Sequence, residues 1–347
     1  MNRPFHYGAI VRIYKWTAAL LFFTACQTVP YQHNEGMVFG TVYSITYQST
    51  DDLQTEIEQT LQQVDNALSM FNPASVLTSV NNDATSVPDS PEGDMFCQVF
   101  TLARQVSDDT QGAFDITVAP LVNAWGFGFK QGIHPDSATI DSLCRLVGYE
   151  KVALVTHEQT RTVLKAQPGI MLDCSAVAKG FGVDAVATLL SHKGIVNYMV
   201  EIGGEVVTSG QNATSQNWRI GVSKPTDDTL SMGGELQTIL SVGNAAMATS
   251  GNYRNFYYEG GRKHAHTIDP RTGHPVQHEL LSATVLAPSC AQADAYATAF
   301  MVMGMEKAKN ILDRHPELSA YFIFSTPDDR LGVWFSPSLA ASIVNPQ

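Results

Sequence analysis

Segments with the character of β-strands follow one another in consecutive pairs along this chain more often than they alternate with helices. Each segment is short and rich in β-branched and aromatic residues, the composition that strands favour. The segments are residues 38–47, 151–155, 162–166, 198–207, 218–222, 236–242, 282–286 and 321–325. Consecutive strands tend to pair antiparallel, so this order predicts an α+β fold with mostly antiparallel sheets and packed helices, rather than a doubly wound parallel sheet.

Apolar residues recur at helical spacing between some of these strands. An acidic start followed by apolar residues three or four positions apart predicts an amphipathic helix at residues 53–68. Further helices are predicted over residues 95–106, 176–191 and 292–313. Residues 72–93 are rich in Pro, Asn and Ser, so a loop is predicted there.

The first 25 residues have the three parts of a bacterial export signal. Three positive residues come first, an uncharged apolar stretch follows at residues 16–23, and small residues precede Cys26. The apolar stretch is about half of the ~20 residues that a membrane-spanning helix needs. We therefore expect residues 1–25 to be a signal peptide rather than a permanent membrane anchor.

The sequence around Cys26 resembles the lipid-attachment site of bacterial lipoproteins. Gln27 follows the cysteine where Asp would favour the inner membrane. We therefore expect Cys26 to be the lipidated first residue of a periplasmic protein, held at the outer membrane by its lipid alone. A linker is predicted over residues 26–36 and one functional domain over residues 37–340. A plain cleaved signal, in which Cys26 is incidental, is the alternative.

The charge and the cysteine pattern exclude several classes of function. The chain has a formal net charge of −12, and removal of the signal with its three positive residues takes the charge to −15. Nucleic-acid binding needs a surplus of Lys and Arg, so no nucleic-acid partner is expected. The chain contains no G-x-S-x-G, Walker A or H-E-x-x-H motif. Single cysteines without a C-x-x-C pair predict neither a zinc site nor a redox motif, and their disulfide status stays open; they are Cys97, Cys144, Cys174 and Cys290.

Polar residues cluster in four segments that are otherwise apolar. In residues 114–128, glycines and aromatic residues accompany Asp115, which suits the approach of backbone to a flat ligand. An aromatic core loop is the alternative there. In residues 172–184, Ser175 is a candidate helix N-cap that places Lys179 near the first turns, where free N–H groups and a cation suit phosphate. A capped helix with an exposed lysine is the alternative for this segment.

The other two segments carry a candidate base and candidate metal ligands. In residues 248–256 and 264–273, His266 lies among Ser, Thr, Asn, Arg and Asp around two turn signals, and such turns often carry binding groups. In residues 291–299, Asp294 and Thr298 are four residues apart and therefore lie on one helix face. A carboxylate and a hydroxyl are hard oxygen ligands that suit a phosphate-bound Mg²⁺. A core helix with an internal side-chain hydrogen bond is the alternative.

Taken together, these segments resemble the ApbE-type flavin transferases, the FAD:protein FMN transferases. The resemblance runs from about Phe39 to Phe335, and seven stretches carry it in the family's order. They are FGTVYSI, FDITVAPLVNAWGFG, LDCSAVAKGFGVD, EIGGE, TSGNYRNFY, HTIDPRTGHPV and ADAYAT. The resemblance implies the α+β flavin-transferase fold and an Mg²⁺-dependent reaction. In that reaction the FMN half of FAD is transferred to a Thr or Ser hydroxyl of an acceptor flavoprotein, and AMP is released.

The resemblance also implies which residues form the site. Those implied to contact FAD are Phe39, Phe71, Ala113, Phe114, Asp115, Asp173, Lys179 and Ile268. The implied Mg²⁺ ligands are the backbone oxygen of Ala176 and the side chains of Asp294 and Thr298. His266 is the implied base for the acceptor hydroxyl, because imidazole titrates near neutral pH. Asp294 is the other candidate catalytic residue and is the poorer base if it binds Mg²⁺.

The acceptor is expected to be a different protein. The family's acceptor pattern, roughly D-G-x-[ST]-G-A-T, does not occur in this chain. The resemblance implies a subunit of a sodium-pumping NADH:quinone oxidoreductase, of an RNF-type complex, or another exported flavoprotein. Two other functions stay open: an FAD pyrophosphatase that gives FMN and AMP, and a periplasmic FAD-binding protein that performs no reaction.

Overall fold

Antiparallel strands and helices make up most of the described chain. The structure is a computed structural model that describes residues 29–127, 135–225, 236–251, 256–259, 262–265, 267–328 and 330–344. Its helices are α1 Gln54–Leu68, α2 Val76–Asn81, α3 Pro91–Asp109, α4 Ala119–Ala124, α5 Ser137–Cys144, α6 Ser175–His192, α7 Cys290–Met303 and α8 Met305–Arg314. Its strands are β1 Tyr31–Val38, β2 Thr41–Gln48, β3 Ser86–Val87, β4 Val152–His157, β5 Thr160–Lys165, β6 Tyr198–Ile202, β7 Glu205–Ser209, β8 Trp218–Ser223, β9 Leu236–Val242, β10 Ala245–Gly251, β11 Phe256–Glu259, β12 Arg262–Ala265, β13 Leu280–Ala287, β14 Ser319–Ser325, β15 Leu331–Phe335 and β16 Ile343–Val344.

An eight-stranded sheet is the centre of the fold. Its strands lie in the order β1-β2-β6-β7-β10-β13-β14-β15, and every neighbouring pair is antiparallel. Smaller antiparallel sheets have the orders β16-β9-β8, β3-β5-β4 and β11-β12. The α+β class and the antiparallel pairing that the sequence predicts are therefore confirmed.

Apolar packing covers the large sheet on both faces. Helices α6 and α7 pack against each other and against the central strands, and α1 and α3 cover them. The rings of Phe300 on α7 and Phe322 on β14 meet edge to face, with centroids 5.9 Å apart. On the other face, Val206 and Met247 of the large sheet form a buried cluster with Ile220 of the small β16-β9-β8 sheet. Strands β6, β7 and β10 therefore separate a helical layer from a small sheet.

The first hairpin differs from its prediction in two ways. Strand β1 begins at Tyr31 and pairs along its whole length with β2, so the predicted linker over residues 26–36 is wrong from Tyr31 onward. Its residues are mostly polar because β1 is an edge strand, and this composition hides the strand from pattern analysis. The predicted strand over residues 38–47 is also interrupted. Phe39 and Gly40 form a two-residue turn with φ of +52° and +74°, as two-residue hairpin turns require.

One loop prediction and one helix prediction are also corrected. The segment 72–93 predicted as a loop contains α2, β3 and the first residues of α3, and the helices begin at the side-chain caps Ser75 and Ser90. The helix predicted over residues 292–313 is divided into α7 and α8. Gly304 lies between them with φ of +78°, a conformation that ends a helix and that glycine adopts without strain.

Residues 1–28, with the predicted signal peptide and Cys26, lie outside the described residues. Within the described ranges, no helix combines the length and the apolar character that crossing a membrane requires.

Candidate active site

Helices α6 and α7 approach each other closely at Gly180. A Cβ atom at this position would lie 2.4 Å from the carbonyl oxygen of Cys290, so even a methyl group would force the backbones apart. The N–H of Gly180 donates a hydrogen bond of 3.1 Å to Oδ2 of Asp294 on α7. The close approach therefore places Lys179, the residue before Gly180, beside Asp294.

A cavity of about 570 Å³ opens beside this crossing. Its volume lies within the range of roughly 300–1,000 Å³ that small-molecule sites occupy. Its wall is built from the first turns of α6, from α7, from β8, from the β6–β7 turn and from loop segments. The predicted site residues in this wall are Phe71, Ala113, Phe114, Asp115, Asp173, Ala176, Lys179, Ile268, Asp294 and Thr298. The fold thus gathers residues that are almost 230 positions apart in the sequence.

Lys179 lies between two carboxylates in the cavity wall. Its Nζ is 3.3 Å from Oε1 of Glu205 and 3.9 Å from Oδ2 of Asp294. Burial works to lower the pKa of Lys179, but the charges of Asp294 and Glu205 raise it above its ordinary value. The two carboxylates therefore favour the protonated, positively charged form of Lys179.

The two carboxylates are held in an environment that disfavours their ionisation. Burial raises the pKa of Glu205, Asp294 raises it further, and Lys179 opposes both effects. Burial likewise raises the pKa of Asp294 against the influence of Lys179 and of the Gly180 N–H. Oε2 of Glu205 is buried and has no hydrogen-bond partner in the described part of the chain. Oε2 of Glu205 therefore has capacity for a further interaction.

The charge of the described lining residues also indicates a cation. Five carboxylates and two basic side chains line the cavity; they are Asp115, Asp173, Glu201, Glu205 and Asp294, with Lys179 and Arg219. A pyrophosphate beside these carboxylates would be repelled to the extent that they are ionised. A bound cation would remove that repulsion.

The oxygen donors in the wall fit a hard divalent ion. The Asp294 carboxylate, the Thr298 hydroxyl and the Ala176 carbonyl all belong to cavity-lining residues. Oγ1 of Thr298 lies 3.1 Å from Oγ of Ser250, which holds the hydroxyl in place. No group of three His, Cys, Asp or Glu side chains that could hold a metal occurs among the residues described. A metal here would therefore use mixed oxygen donors and phosphate oxygens, as Mg²⁺ commonly does.

Asp115 has a structural role in addition to its place in the wall. Its Oδ1 accepts hydrogen bonds from the N–H (2.8 Å) and hydroxyl (2.7 Å) of Thr117, and its Oδ2 accepts one from the N–H of Tyr149 (2.8 Å). Burial raises its pKa, and these hydrogen bonds partly oppose that effect. The carboxylate thus fixes the loop that carries Ala113 and Phe114 in the cavity wall.

Asp173 lies two residues before helix α6 and contacts the first residue of that helix. Its Oδ1 accepts a hydrogen bond of 2.8 Å from the N–H of Ser175 and another from the Ser175 hydroxyl. The prediction that Ser175 itself is the N-cap is wrong, because Ser175 is the first residue of the helix and Cys174 occupies the cap position without a side-chain capping bond. The N–H of Asp173 also donates to the carbonyl oxygen of Ile116, which ties α6 to the Asp115 loop.

The two phenylalanines predicted to contact FAD occupy different places. Phe71 lines the cavity and is 66% exposed, so its ring is accessible at the wall. Phe39 is not among the described lining residues. Its ring instead packs over Gly182 of α6, where an added Cβ would lie 2.7 Å from the ring. The structure thus brings Phe71 to the cavity and places Phe39 against α6, outside the described cavity lining.

The predicted base His266 lies outside the described residues. The two residues that follow it, Thr267 and Ile268, line the cavity. Ile268 is buried and packs in a cluster with Leu121 and Trp125, and its bridge to Pro275 closes the loop that follows.

Two parts of the site, Glu205 and the residues of β8, are not among the site residues predicted from the sequence. Glu205 stands in the EIGGE stretch, where the sequence signal is an acidic residue directly after two glycines. In the structure these glycines turn the chain with φ of +64° and +107°. The residues of β8 were read only as a strand. Their contribution depends on the β8 edge bordering the same cavity as α6 and α7 from the opposite layer, and no local pattern reports that placement.

The comparisons with known proteins agree with this geometry. The model of the ApbE family matches residues 39–322. The chain is 34% identical over 318 residues to the FAD:protein FMN transferase of Salmonella typhimurium, covering 90% of this chain and 89% of that protein. It is 36% identical over 303 residues to the Haemophilus influenzae protein of the same name, covering 84% and 86%.

Solved structures are similar over the same region. The flavin transferase ApbE from Vibrio cholerae has a TM-score of 0.78 and 34% identity, covering 90% of this chain and 99% of that one. The flavinyl transferase ApbE from Pseudomonas stutzeri, in its apo form, has a TM-score of 0.77 and 28% identity, covering 90% and 96%.

Proposed function

The chain belongs to the ApbE family and is an enzyme, and we propose that it transfers the FMN half of FAD to a Thr or Ser hydroxyl of another protein. The names of the relatives support flavin transfer from FAD to a protein. The observation that carries the finer proposal is the meeting of Lys179, Asp294 and Thr298 at one cavity wall. A fixed cation and hard oxygen donors in one place suit chemistry at a pyrophosphate.

The proposed reaction is a substitution at phosphorus. The acceptor hydroxyl oxygen forms a bond to the FMN-side phosphorus of FAD. The bond from that phosphorus to the bridging oxygen breaks, and AMP leaves with this oxygen and its electron pair. The hydroxyl proton passes to a base. The products are a flavinylated protein and AMP, and no atom is oxidised or reduced.

Lys179 and the start of α6 would bind the pyrophosphate. Glu205 and Asp294 hold the ammonium group of Lys179 in place, so it presents its charge without reorganisation. The first turn of α6, with Ser175 and Ala176 in the cavity wall, adds the positive end of a helix of 18 residues.

We propose Mg²⁺ as the cofactor, held by the Ala176 carbonyl, Asp294 and Thr298. The ion, when bound, would neutralise charge on the pyrophosphate oxygens and on the departing AMP. The excess of carboxylates in the described wall supports this assignment.

His266 is the proposed base for the acceptor hydroxyl. The two residues that follow it, Thr267 and Ile268, line the cavity, and imidazole accepts a proton near neutral pH. His266→Ala should abolish transfer while FAD affinity stays near wild type, and His192→Ala, on the exposed end of α6, should behave as wild type. A His266→Ala enzyme with an unchanged transfer rate would remove this residue from the mechanism.

An acceptor assay tests the proposed function. The protein is mixed with FAD, Mg²⁺ and an acceptor domain that carries the D-G-x-[ST]-G-A-T pattern, and in-gel flavin fluorescence and AMP are measured. A fluorescent acceptor band that is lost with EDTA or in Asp294→Ala is the expected result. Free FMN and AMP without a labelled band would indicate a pyrophosphatase. Bound FAD without either product would indicate a binding protein.

The cellular setting is also a proposal. We propose that the chain is exported, lipidated at Cys26 and held at the periplasmic side of the outer membrane. Its acceptor would be an exported subunit of an NADH:quinone oxidoreductase or RNF-type complex. Labelled palmitate should enter the wild-type chain in a bacterial host and should not enter Cys26→Ser.

A further inference from the structure

Strand β8 presents its edge to the cavity. Five consecutive residues, from Arg219 to Ser223, line the cavity wall. Side chains on a strand alternate between two faces, so one face alone could contribute only every second residue. A run of five therefore means that the backbone edge of the strand borders the cavity.

The bonds of the small sheet identify which backbone groups point to this edge. On β9, the N–H of Ser241 donates to the carbonyl oxygen of Ser342, on the side away from β8. Ser241 is opposite Arg219 in the β8–β9 register. Opposed residues in an antiparallel pair either exchange both hydrogen bonds or neither. Arg219 therefore directs its N–H and C=O away from β9, and Gly221, two residues further on, does the same.

These groups are unpaired in the described part of the chain. Strand β8 is the outer strand of its sheet, and among the described strands it pairs with β9 alone. Arg219 is exposed, and no carboxylate among the described residues lies within ion-pairing distance of its guanidinium. An open edge with a positive side chain therefore borders the cavity that contains Lys179 and Asp294.

We propose that the acceptor protein presents its reactive hydroxyl in an extended segment that adds to β8 as a further strand. Its backbone would pair with the N–H and C=O groups of Arg219 and Gly221. Such strand addition takes its affinity from main-chain hydrogen bonds. The charge of Arg219, on the edge strand itself, selects a segment with a carboxylate close to the hydroxyl. This inference rests on the proposed function, because it states how the acceptor is held.

Gly221 allows a matched pair of variants. Gly221→Pro removes the outward N–H, whereas Gly221→Ala keeps it, and both place an atom near Cδ2 of Leu236, 2.7 Å from the Cβ position. The register gives this N–H no partner on β9, so its loss leaves the β8–β9 ladder intact. The KM for the acceptor domain should be about 10-fold higher in Gly221→Pro than in Gly221→Ala, with equal FAD affinity. Equal KM values in the two variants would overturn the proposal.

A test on the acceptor avoids any change to the enzyme. Synthetic acceptor peptides carry one N-methyl group at successive backbone positions and are labelled by the wild-type enzyme with FAD and Mg²⁺. Because a strand directs alternate N–H groups to its partner, labelling should fall at every second position and persist at the positions between. Uniform loss, uniform tolerance or an unlabelled parent peptide would contradict strand addition.

The two levels of the proposal fail in different ways. If wild type labels the acceptor domain but the variants and peptides show no difference, strand addition is wrong and the transferase function stands. If wild type labels no acceptor at all, the proposed function is wrong and the inference fails with it.

Discussion

Lys179 is the residue on which the electrostatics of the cavity depend. It is the cation that lies within 3.9 Å of both Glu205 and Asp294. Lys179→Met should remove the positive charge while keeping most of the side-chain volume. Because two buried carboxylates then lose their partner, we expect the free energy of unfolding to fall by about 3 kcal/mol. FMN transfer should fall at least about 100-fold.

Lys193 provides the matched control for that substitution. It follows the last turn of α6 and pairs with Glu56 over 3.0 Å, where both side chains are well exposed. Lys193→Met should cost less than about 1 kcal/mol and leave transfer unchanged. Denaturant unfolding and the transfer assay measure both variants, and similar losses in the two would mean that the Lys179 cluster has no special role.

Single residues also show how far the sequence could predict the site. Asp294 and Thr298 were predictable because helical spacing alone places them on one face. Glu205 was not, since its partner Lys179 is 26 positions away and meets it only through the packing of α6 on β7. Phe39 was assigned to FAD through the family resemblance, but its position follows from the hairpin turn and from the space above Gly182.

The close crossing of α6 and α7 determines whether the site assembles. In Gly180→Ala the added methyl group meets the backbone oxygen of Cys290, which cannot move without shifting α7. In Gly182→Ala, on the same helix, the methyl group meets the ring of Phe39, a side chain that can turn. Both changes add about 1 kcal/mol of helix propensity, so this contribution cancels in the comparison.

We therefore expect Gly180→Ala to be less stable than Gly182→Ala by about 1–3 kcal/mol, the usual cost of overpacking. Its FMN transfer should also be the more impaired, because Lys179 and Asp294 are displaced from each other. Thermal unfolding and the transfer rate of the two variants test this account. If Gly182→Ala were instead less stable and slower in transfer than Gly180→Ala, α6 and α7 would tolerate separation.

A second contact between the same helices makes stability depend on pH. The Asp184 carboxylate on α6 accepts hydrogen bonds of 2.9 Å from the N–H groups of Cys290 and Ala291 at the start of α7. Burial raises its pKa from 3.8 to about 6, although these two hydrogen bonds oppose the shift. The folded state therefore binds this proton more tightly than the unfolded state does.

The stabilisation from that proton is complete below about pH 4 and is lost as the pH rises through about 6. Asp184→Asn cannot ionise, so it should lose less stability than wild type between about pH 4.5 and 7.5. The difference should be on the order of 2 kcal/mol. Urea unfolding across this range measures it, and parallel pH profiles for the two proteins would contradict the assignment.

At the level of elements, the sequence predicts which helices and strands are present better than it predicts where they begin and end. The amphipathic pattern of α1 and the apolar runs of the central strands identify these elements, because burial on one face leaves a period in the sequence. Strand β1 and helix α2 leave no such period, since one is a polar edge strand and the other has only six residues. The open edge of β8 belongs to the arrangement of sheets and could not be predicted from any single segment.

For the whole molecule, binding of metal and FAD should raise the unfolding temperature. A ligand that binds only the folded state raises the unfolding temperature. Mg²⁺ with FAD should therefore raise it in wild type, and EDTA should reverse the rise. Thr298→Val should lose most of this Mg²⁺ effect. Thr188→Val, which removes an exposed hydroxyl that donates to the Asp184 carbonyl, should retain it. An equal Mg²⁺ effect in both variants would exclude Thr298 as a ligand.

The layers of the molecule explain why the reaction can involve a second protein. The helical layer supplies Lys179 and Asp294, and the small sheet supplies β8, so the cavity lies where both meet the central strands. A nucleotide and an acceptor segment could therefore approach the same phosphate from different layers.

The central claim is that the protein joins FMN to an acceptor rather than releasing it to water. The most direct measurement is the intact mass of an acceptor domain after reaction with FAD and Mg²⁺, with AMP quantified in the same sample. The account predicts the added mass of one FMN less one water on the acceptor Thr or Ser, and one AMP for each modified acceptor. AMP and free FMN in equal amounts, with an acceptor of unchanged mass, would contradict it.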